Sequence, residues 1–267
     1  SCASCAAAQE ALSLNPKAAG AFAILARMAV NGFNLDLGRK LADRLDALAA
    51  PFGARSTEAD LIRMHALLRQ DAAADASDLG ASLLGRTPRH RRAIAWTAAA
   101  NAASFNDEMV GAHLALLESL APGSALGFAT VGVVLAEQRQ YDDARRYLEE
   151  ATTREPNWAE PWADLGLMEI QAGRDTGASD ALRRALELDA FDERARNSLA
   201  LVDGLAPWPV LESEHFRVRY RPGIDAQLAG EKLPVLERLY ARVTRGEGGF
   251  DHEPAEKTLI ELMPSHR

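Results

Sequence analysis

Residues 156–190 read PNWAEPWADLGLMEIQAGRDTGASDALRRALELDA, and their spacing decides the fold. Trp162, Leu165 and Gly166 set a large, a branched and a minimal side chain on one helical turn. Ala178, Leu182 and Ala185 then alternate small, large and small at helical spacing. One period earlier stand Phe128, Val131 and Gly132, followed by Ala144, Leu148 and Ala151. Before those stand Ile94, Thr97 and Ala98, followed by Leu114 and Leu117. Pro88, Pro122 and Pro156 close the units at intervals of 34 residues. A fixed period of this length means an array of small stacked units.

Each unit reads as two antiparallel helices. Gly166, Gly132 and Ala98 are small where the paired helices approach closely. Ala144 and Ala178 open the second helix, where its partner leaves little room. Trp162, Phe128 and Ile94 each contribute about 1.5–3 kcal/mol when fully buried. The proline ends the second helix, because it lacks an N–H and clashes with the preceding turn. No unit covers its own apolar face, so several must stack.

On these residues the chain resembles the tetratricopeptide repeat family. The resemblance implies a mostly α fold, a right-handed α-solenoid of helix pairs, with a protein or peptide as partner. Glu169 and Leu135 depart from it, standing where the first helix carries an aromatic, and Ala190 replaces a closing proline. Towards the start, Asn15-Pro16 resembles a repeat end, and Phe22, Leu25 and Ala26 resemble the next opening. Pro51 follows Pro16 by 35 residues and precedes Pro88 by 37, so a longer loop is expected near Phe52–Arg55. Helices are expected at Thr57–Gln70 and Ala73–Leu84. Cys2 to Leu14 reads as a second helix without its first, so the array, residues 1–206, is expected to begin in mid-repeat.

The helical period fades after Leu205, and Pro207-Trp208-Pro209 marks a boundary. Residues 207–267 read as β-α-β. Phe216, Val218 and Tyr220 alternate with His215, Arg217 and Arg219, giving a half-buried strand with a polar, solvated face. Pro222-Gly223 turns the chain, and Ala226 to Thr244 is helical with a broad apolar face of Leu233, Leu236, Leu239, Tyr240 and Val243. Pro234 is expected to kink or restart that helix. A glycine-rich turn at Gly246–Gly249 leads to a strand over Thr258 to Met263, which Pro264 stops.

Ser213-Glu214-His215-Phe216, Val218-Arg219-Tyr220, Leu236-Glu237, Phe250, His252-Glu253-Pro254, Lys257-Thr258 and Ile260-Glu261-Leu262 together resemble the start of the peptidase-MA-like domain, a gluzincin family often found behind tetratricopeptide repeats. The resemblance covers the last ~60 residues. It implies an H-E-x-x-H zinc helix further along the parent protein. None stands here: His252-Glu253 runs into Pro254, Ala255 and Glu256. No catalytic residue, metal ligand or cofactor is therefore expected in this chain, and zinc belongs to the parent alone.

Composition fits a soluble protein: 267 residues, 48% hydrophobic and 25% charged. A formal charge of -8 and pI of about 5.3 disfavour a nucleic-acid backbone as the main partner. No run approaches the roughly 18 apolar residues of a membrane span, and no signal peptide is read, which leaves the compartment open. Cys2 and Cys5 form a C-x-x-C without the further ligands that zinc needs, and read as ordinary helix cysteines. His113 reads as a helix-surface residue. The run Arg89, His90, Arg91 and Arg92 is a solvated loop or an anion grip, and Glu149 and Glu150 are adjacent surface carboxylates.

The concave surface of an array comes from the first helix of each unit. Its candidates are Arg92, Ala95, Ala99 and Ala102, then Ala129, Val133 and Ala136, then Ala163, Leu167 and Ile170. The Lys, Arg and Asn set that holds a chain terminus in carboxylate-clamp arrays is absent from this stripe. Two readings of it stay open: alanine for tight helix packing, or a groove for an apolar partner helix, including one from the rest of the same parent chain. The expected function is a non-catalytic protein-interaction scaffold; the alternative is the non-catalytic leading portion of a gluzincin-type metallopeptidase.

Overall fold

The computed structural model describes residues 3–245 and 257–263. Cys2, the turn at 246–249, Phe250, the His252-Glu253 pair, Pro264 and His266 lie outside the described residues. The chain divides into two compact units, Ser1–Met168 and Glu169–Arg267.

The chain is mostly helical, a tetratricopeptide-type stack of helix pairs followed by a small sheet. Helix α1 (Ala3–Leu14) precedes four pairs: α2 (Ala19–Asn31) with α3 (Leu35–Ala49), α4 (Thr57–Leu68) with α5 (Ala73–Arg86), α6 (Arg91–Ala103) with α7 (Asp107–Leu120), and α8 (Leu126–Glu137) with α9 (Tyr141–Arg154). The boundary between the units falls within α10 (Ala159–Gln171). In the first unit, α2, α4, α6 and α8 each pack on their own pair partner and on a neighbouring first helix. The expected longer loop is a turn of 3-10 helix at Ala50–Phe52 and the residues after it.

Small residues sit where helices cross. A Cβ on Gly132 would stand 2.7 Å from Leu148 Cγ of α9 and 3.1 Å from its backbone N. Ala98, Ala144 and Ala151 are fully buried at related crossings. Steric exclusion of any larger side chain thus fixes the register of the stack.

The turns within the four pairs, and the turn at Gly173 after α10, use the same device. Phe33, Asp71, Phe105, Arg139 and Gly173 occupy the left-handed region, with φ between 57° and 73°. The residue after each donates its backbone N–H five residues back, as Asn106 does to Asn101 O at 2.9 Å and Gln140 to Leu135 O at 2.9 Å. This is the Schellman closure, which satisfies carbonyls that a helix end otherwise leaves open. Glycine is the residue suited to that backbone, and only Gly173 supplies it. Side chains start the next helices: Asn34, Ser56, Asn106 and Asp192 each accept from the backbone N–H three residues on.

In the second unit, α11 (Asp175–Leu188) and α12 (Glu193–Leu205) pack together. A three-stranded sheet follows, in the order β1 (Val210–Glu212), β2 (Phe216–Tyr220), β3 (Thr258–Leu262). β2 pairs antiparallel with β1 and parallel with β3, Val218 lying opposite Leu211 and Ile260. Helix α13 (Ile224–Arg245) joins β2 to β3, which is the expected β-α-β unit. Strand β1 is an addition, since three residues are too few to show a period. Pro234 neither ends nor restarts α13. Its side chain is exposed, so water can satisfy the carbonyl that lacks an N–H partner.

The polar face of β2 is covered, contrary to the expectation of a solvated one. Arg219 is 4% exposed. It donates to Glu261 of β3 at 2.8 Å and to Asp175 at the start of α11. The turn at Gly173 lies against Leu259 of β3, 3.3 Å from where a Cβ would stand.

Candidate interaction surface

Four first helices bring polar side chains together in the first unit. Arg27 of α2 and Arg92 of α6 both donate to Glu58 of α4, Arg92 Nη1 at 2.7 Å from Glu58 Oε2. Burial disfavours the Glu58 charge, but the Arg92 and Arg27 guanidiniums outweigh it and hold the carboxyl below its ordinary range. Each arginine keeps 43% of its side chain exposed. Below them, Val30, Leu61 and Ile62 line a small recess that also includes His65 and Trp96. The His65 and Trp96 rings lie 5.0 Å apart.

A second cluster follows. Arg69 donates to Glu137 Oε1 at 2.5 Å, and His65 Nε2 lies 3.3 Å from Glu137 Oε2. Gln138 Nε2 donates to Leu68 O at 2.8 Å. Burial works against the Glu137 charge, while His65 and Arg69 outweigh it and keep its pKa below the ordinary value. The Arg69 guanidinium also lies over the Phe33 ring, 3.7 Å from its centre. The ends of α4 and α8 therefore meet directly, although α6 lies between them in the stack.

The expected stripe divides by exposure. Ala95, Ala99 and Ala163 are fully buried, and Ala102 and Ala129 nearly so. Arg92, Val133, Ala136, Leu167 and Ile170 are partly exposed. Sequence reasoning missed Arg27, Glu58, His65, Arg69, Trp96 and Glu137. A signal existed: Glu58 and Arg92 stand 34 residues apart and Arg69 and Glu137 stand 68, one and two periods. Opposite charges at whole periods lie on helices of the same kind.

Other candidates resolve individually. His90 caps α6, its Nδ1 accepting from Ala93 N at 3.1 Å. His113 is buried, correcting the surface reading, with Nδ1 2.6 Å from Met109 O. Arg91 lines a shallow cleft of about 710 Å³ with Glu155 and Trp158. Glu149 and Glu150 pair with Arg145 and Arg154. Cys5 is half-buried. His215 is held rather than solvated: Glu237 accepts its backbone N–H at 2.9 Å and contacts Nδ1 at 2.6 Å, and Tyr240 stacks on the ring at 3.8 Å. The Ser213 hydroxyl and these His215 contacts lower the Glu237 pKa to about 2. Among the described residues, no three His, Cys, Asp or Glu side chains gather as a metal site, and no helix is long and apolar enough to cross a membrane.

No family model matches the chain, and no curated protein matches it in sequence. Solved structures do. The chain is similar to TTC0263, a thermophilic TPR protein in Thermus thermophilus, at 21% identity and a TM-score of 0.48, over 70% of this chain and 100% of that one. It is similar to YrrB, a TPR protein with an unusual peptide-binding site, at 14% and 0.37, over 72% and 97%. A third similarity is to MamA, at 16% and 0.38, over 53% and 82%.

Proposed function

We propose that the chain is a protein-interaction scaffold that holds a segment of a partner protein on its first helices, with no catalytic residue or cofactor of its own. One observation carries this reading. Arg27 and Arg92 present half-exposed guanidiniums, fixed by a shared carboxylate at the rim of an apolar recess beside Trp96. Such a surface offers charge-assisted hydrogen bonds and an aromatic face at little further ordering cost. A displayed peptide library selected against the whole chain tests it. Enriched peptides should bind the parent chain and lose at least tenfold in affinity to Arg92→Ala and Trp96→Ala, both with unchanged circular dichroism. Failure to enrich any sequence, or binding that ignores both substitutions, overturns the reading.

A second reading concerns the parent protein, as a gluzincin-type zinc peptidase. Among the residues that carry that resemblance, Phe216, Val218 to Tyr220, Thr258 and Ile260 to Leu262 stand on the adjacent parallel strands β2 and β3. Coding sequence downstream of Arg267 tests it. An H-E-x-x-H motif there supports the peptidase, and its absence removes it.

A further inference from the structure

The cleft of about 710 Å³ in the first unit is lined where successive units join. Arg91 opens α6, Ser124 and Leu126 stand at the start of α8, and Glu155, Pro156, Asn157 and Trp158 form the turn before α10. Sites for small ligands are concavities of roughly 300–1,000 Å³ with a few polar groups converging on an apolar wall. Here Leu126, Pro156 and the Trp158 ring supply the wall, and Trp158 is held by packing on Ala125, Ala129 and Ala151.

Its polar groups say what the ligand carries. Arg91 is exposed and makes no ion pair among the described residues, whereas Arg92 beside it is taken by Glu58. Glu155 likewise meets no cation among the described residues: its Oε1 accepts the Ala125 N–H at 2.7 Å, and Oε2 is left over. The cleft thus holds one cation and one carboxylate that do not pair with each other. Its lining has no net charge to attract a simple ion, and it matches a ligand that bears both signs. The other polar side chains are donors. The Trp158 indole N–H and the Asn157 amide have no protein partner among the described residues, and the Ser124 hydroxyl accepts from Leu126 N at 3.4 Å but donates to none of them. The Trp162 indole N–H, by contrast, is already used by Pro156 O at 3.1 Å. Acceptor oxygens on the ligand would satisfy these groups.

We infer that the cleft binds a small zwitterion with an apolar side chain, a free amino acid or a short peptide. Arg91 takes its carboxylate with the guanidinium fork, Glu155 takes its ammonium through Oε2, and its side chain lies on Trp158. The site shares no residue with the surface of Arg27, Glu58 and Trp96 and does not depend on it.

Nuclear magnetic resonance of the isotope-labelled whole chain tests it, with the Trp158 indole N–H signal assigned by Trp158→Phe. Phenylalanine and glycylphenylalanine, titrated into the millimolar range, should move that signal, and the tighter of the two tells amino acid from peptide. Phenylpropionate lacks the ammonium and phenethylamine lacks the carboxylate, so each should bind at least tenfold more weakly. Arg91→Ala should weaken the zwitterions at least tenfold and leave phenethylamine unchanged. Glu155→Gln keeps an oxygen for the Ala125 N–H, so the fold holds. It should weaken the zwitterions to a similar degree and leave phenylpropionate unchanged. A Trp158 signal that neither zwitterion moves overturns the inference. So does zwitterion binding that either half-molecule equals, or that ignores both substitutions.

Discussion

Two junctions in this molecule are held by opposite means. Where α8 crosses α9, the contact depends on a missing side chain, with Leu148 filling the space against Gly132. Where α11 meets the sheet, it depends on a long charged one, with Arg219 spanning from Asp175 to Glu261. The first is shape alone and recurs with each unit. The second is an ion triad centred on a buried arginine. A repeated junction can rely on packing because every unit tests the same geometry. A junction between unlike elements has no such averaging, and directional charge–charge contacts fix its register.

The sharpest way to break that contrast is Arg219→Ala. It removes the cation between two carboxylates that each keep over a quarter of their surface in water, and should cost about 1.5–3 kcal/mol in the second unit. Denaturant unfolding followed by fluorescence would register the loss. A change well below that would mean that the junction is held by packing after all.

Next in size is Gly132→Val. Added carbons must displace Leu148 or part the two helices, an overpacking cost of about 1–3 kcal/mol. A melt that shifts little would show that α8 and α9 can separate without penalty, and the steric account of the array would fail.

Acid offers a smaller effect. The folded Glu137 pKa lies below its ordinary 4.5, so its contribution is present above the unfolded value and is lost as pH falls through the folded one. Glu137→Gln should therefore cost about 1–2 kcal/mol at neutral pH. The gap between parent and variant should close as pH is lowered below the ordinary carboxylate range. A gap of constant size would remove the ion pair between α4 and α8 as its cause.

The smallest expected change is a gain. Phe105 holds φ at 57° with 77% of its surface exposed. Asparagine tolerates that backbone better than an aromatic does, so Phe105→Asn should stabilise the array by about 0.5–1 kcal/mol. A loss in thermal melting would instead assign the ring a contact that offsets its strain.

The array was legible because helical packing repeats. A small residue every 34 positions identifies a crossing without any knowledge of its partner, as Gly132 and Ala98 show. The candidate surface was less legible. Arg92 could be placed on a first helix, but only the structure shows that its partner is Glu58 on the neighbouring first helix. Local spacing could not tell which alanines of α6 are covered; Ala95 and Ala99 are fully buried.

By itself the sequence determined the helix pairs, their period and the β-α-β unit, since these follow from local periodicity and the steric limits of single residues. Tertiary structure decided which polar residues are buried. Arg219 and His113 look like surface residues along the chain because the groups that cover or hold them cannot be identified from local spacing. A strand's alternation or a helix's spacing tells which side a residue faces, and only the packed elements tell what that side meets.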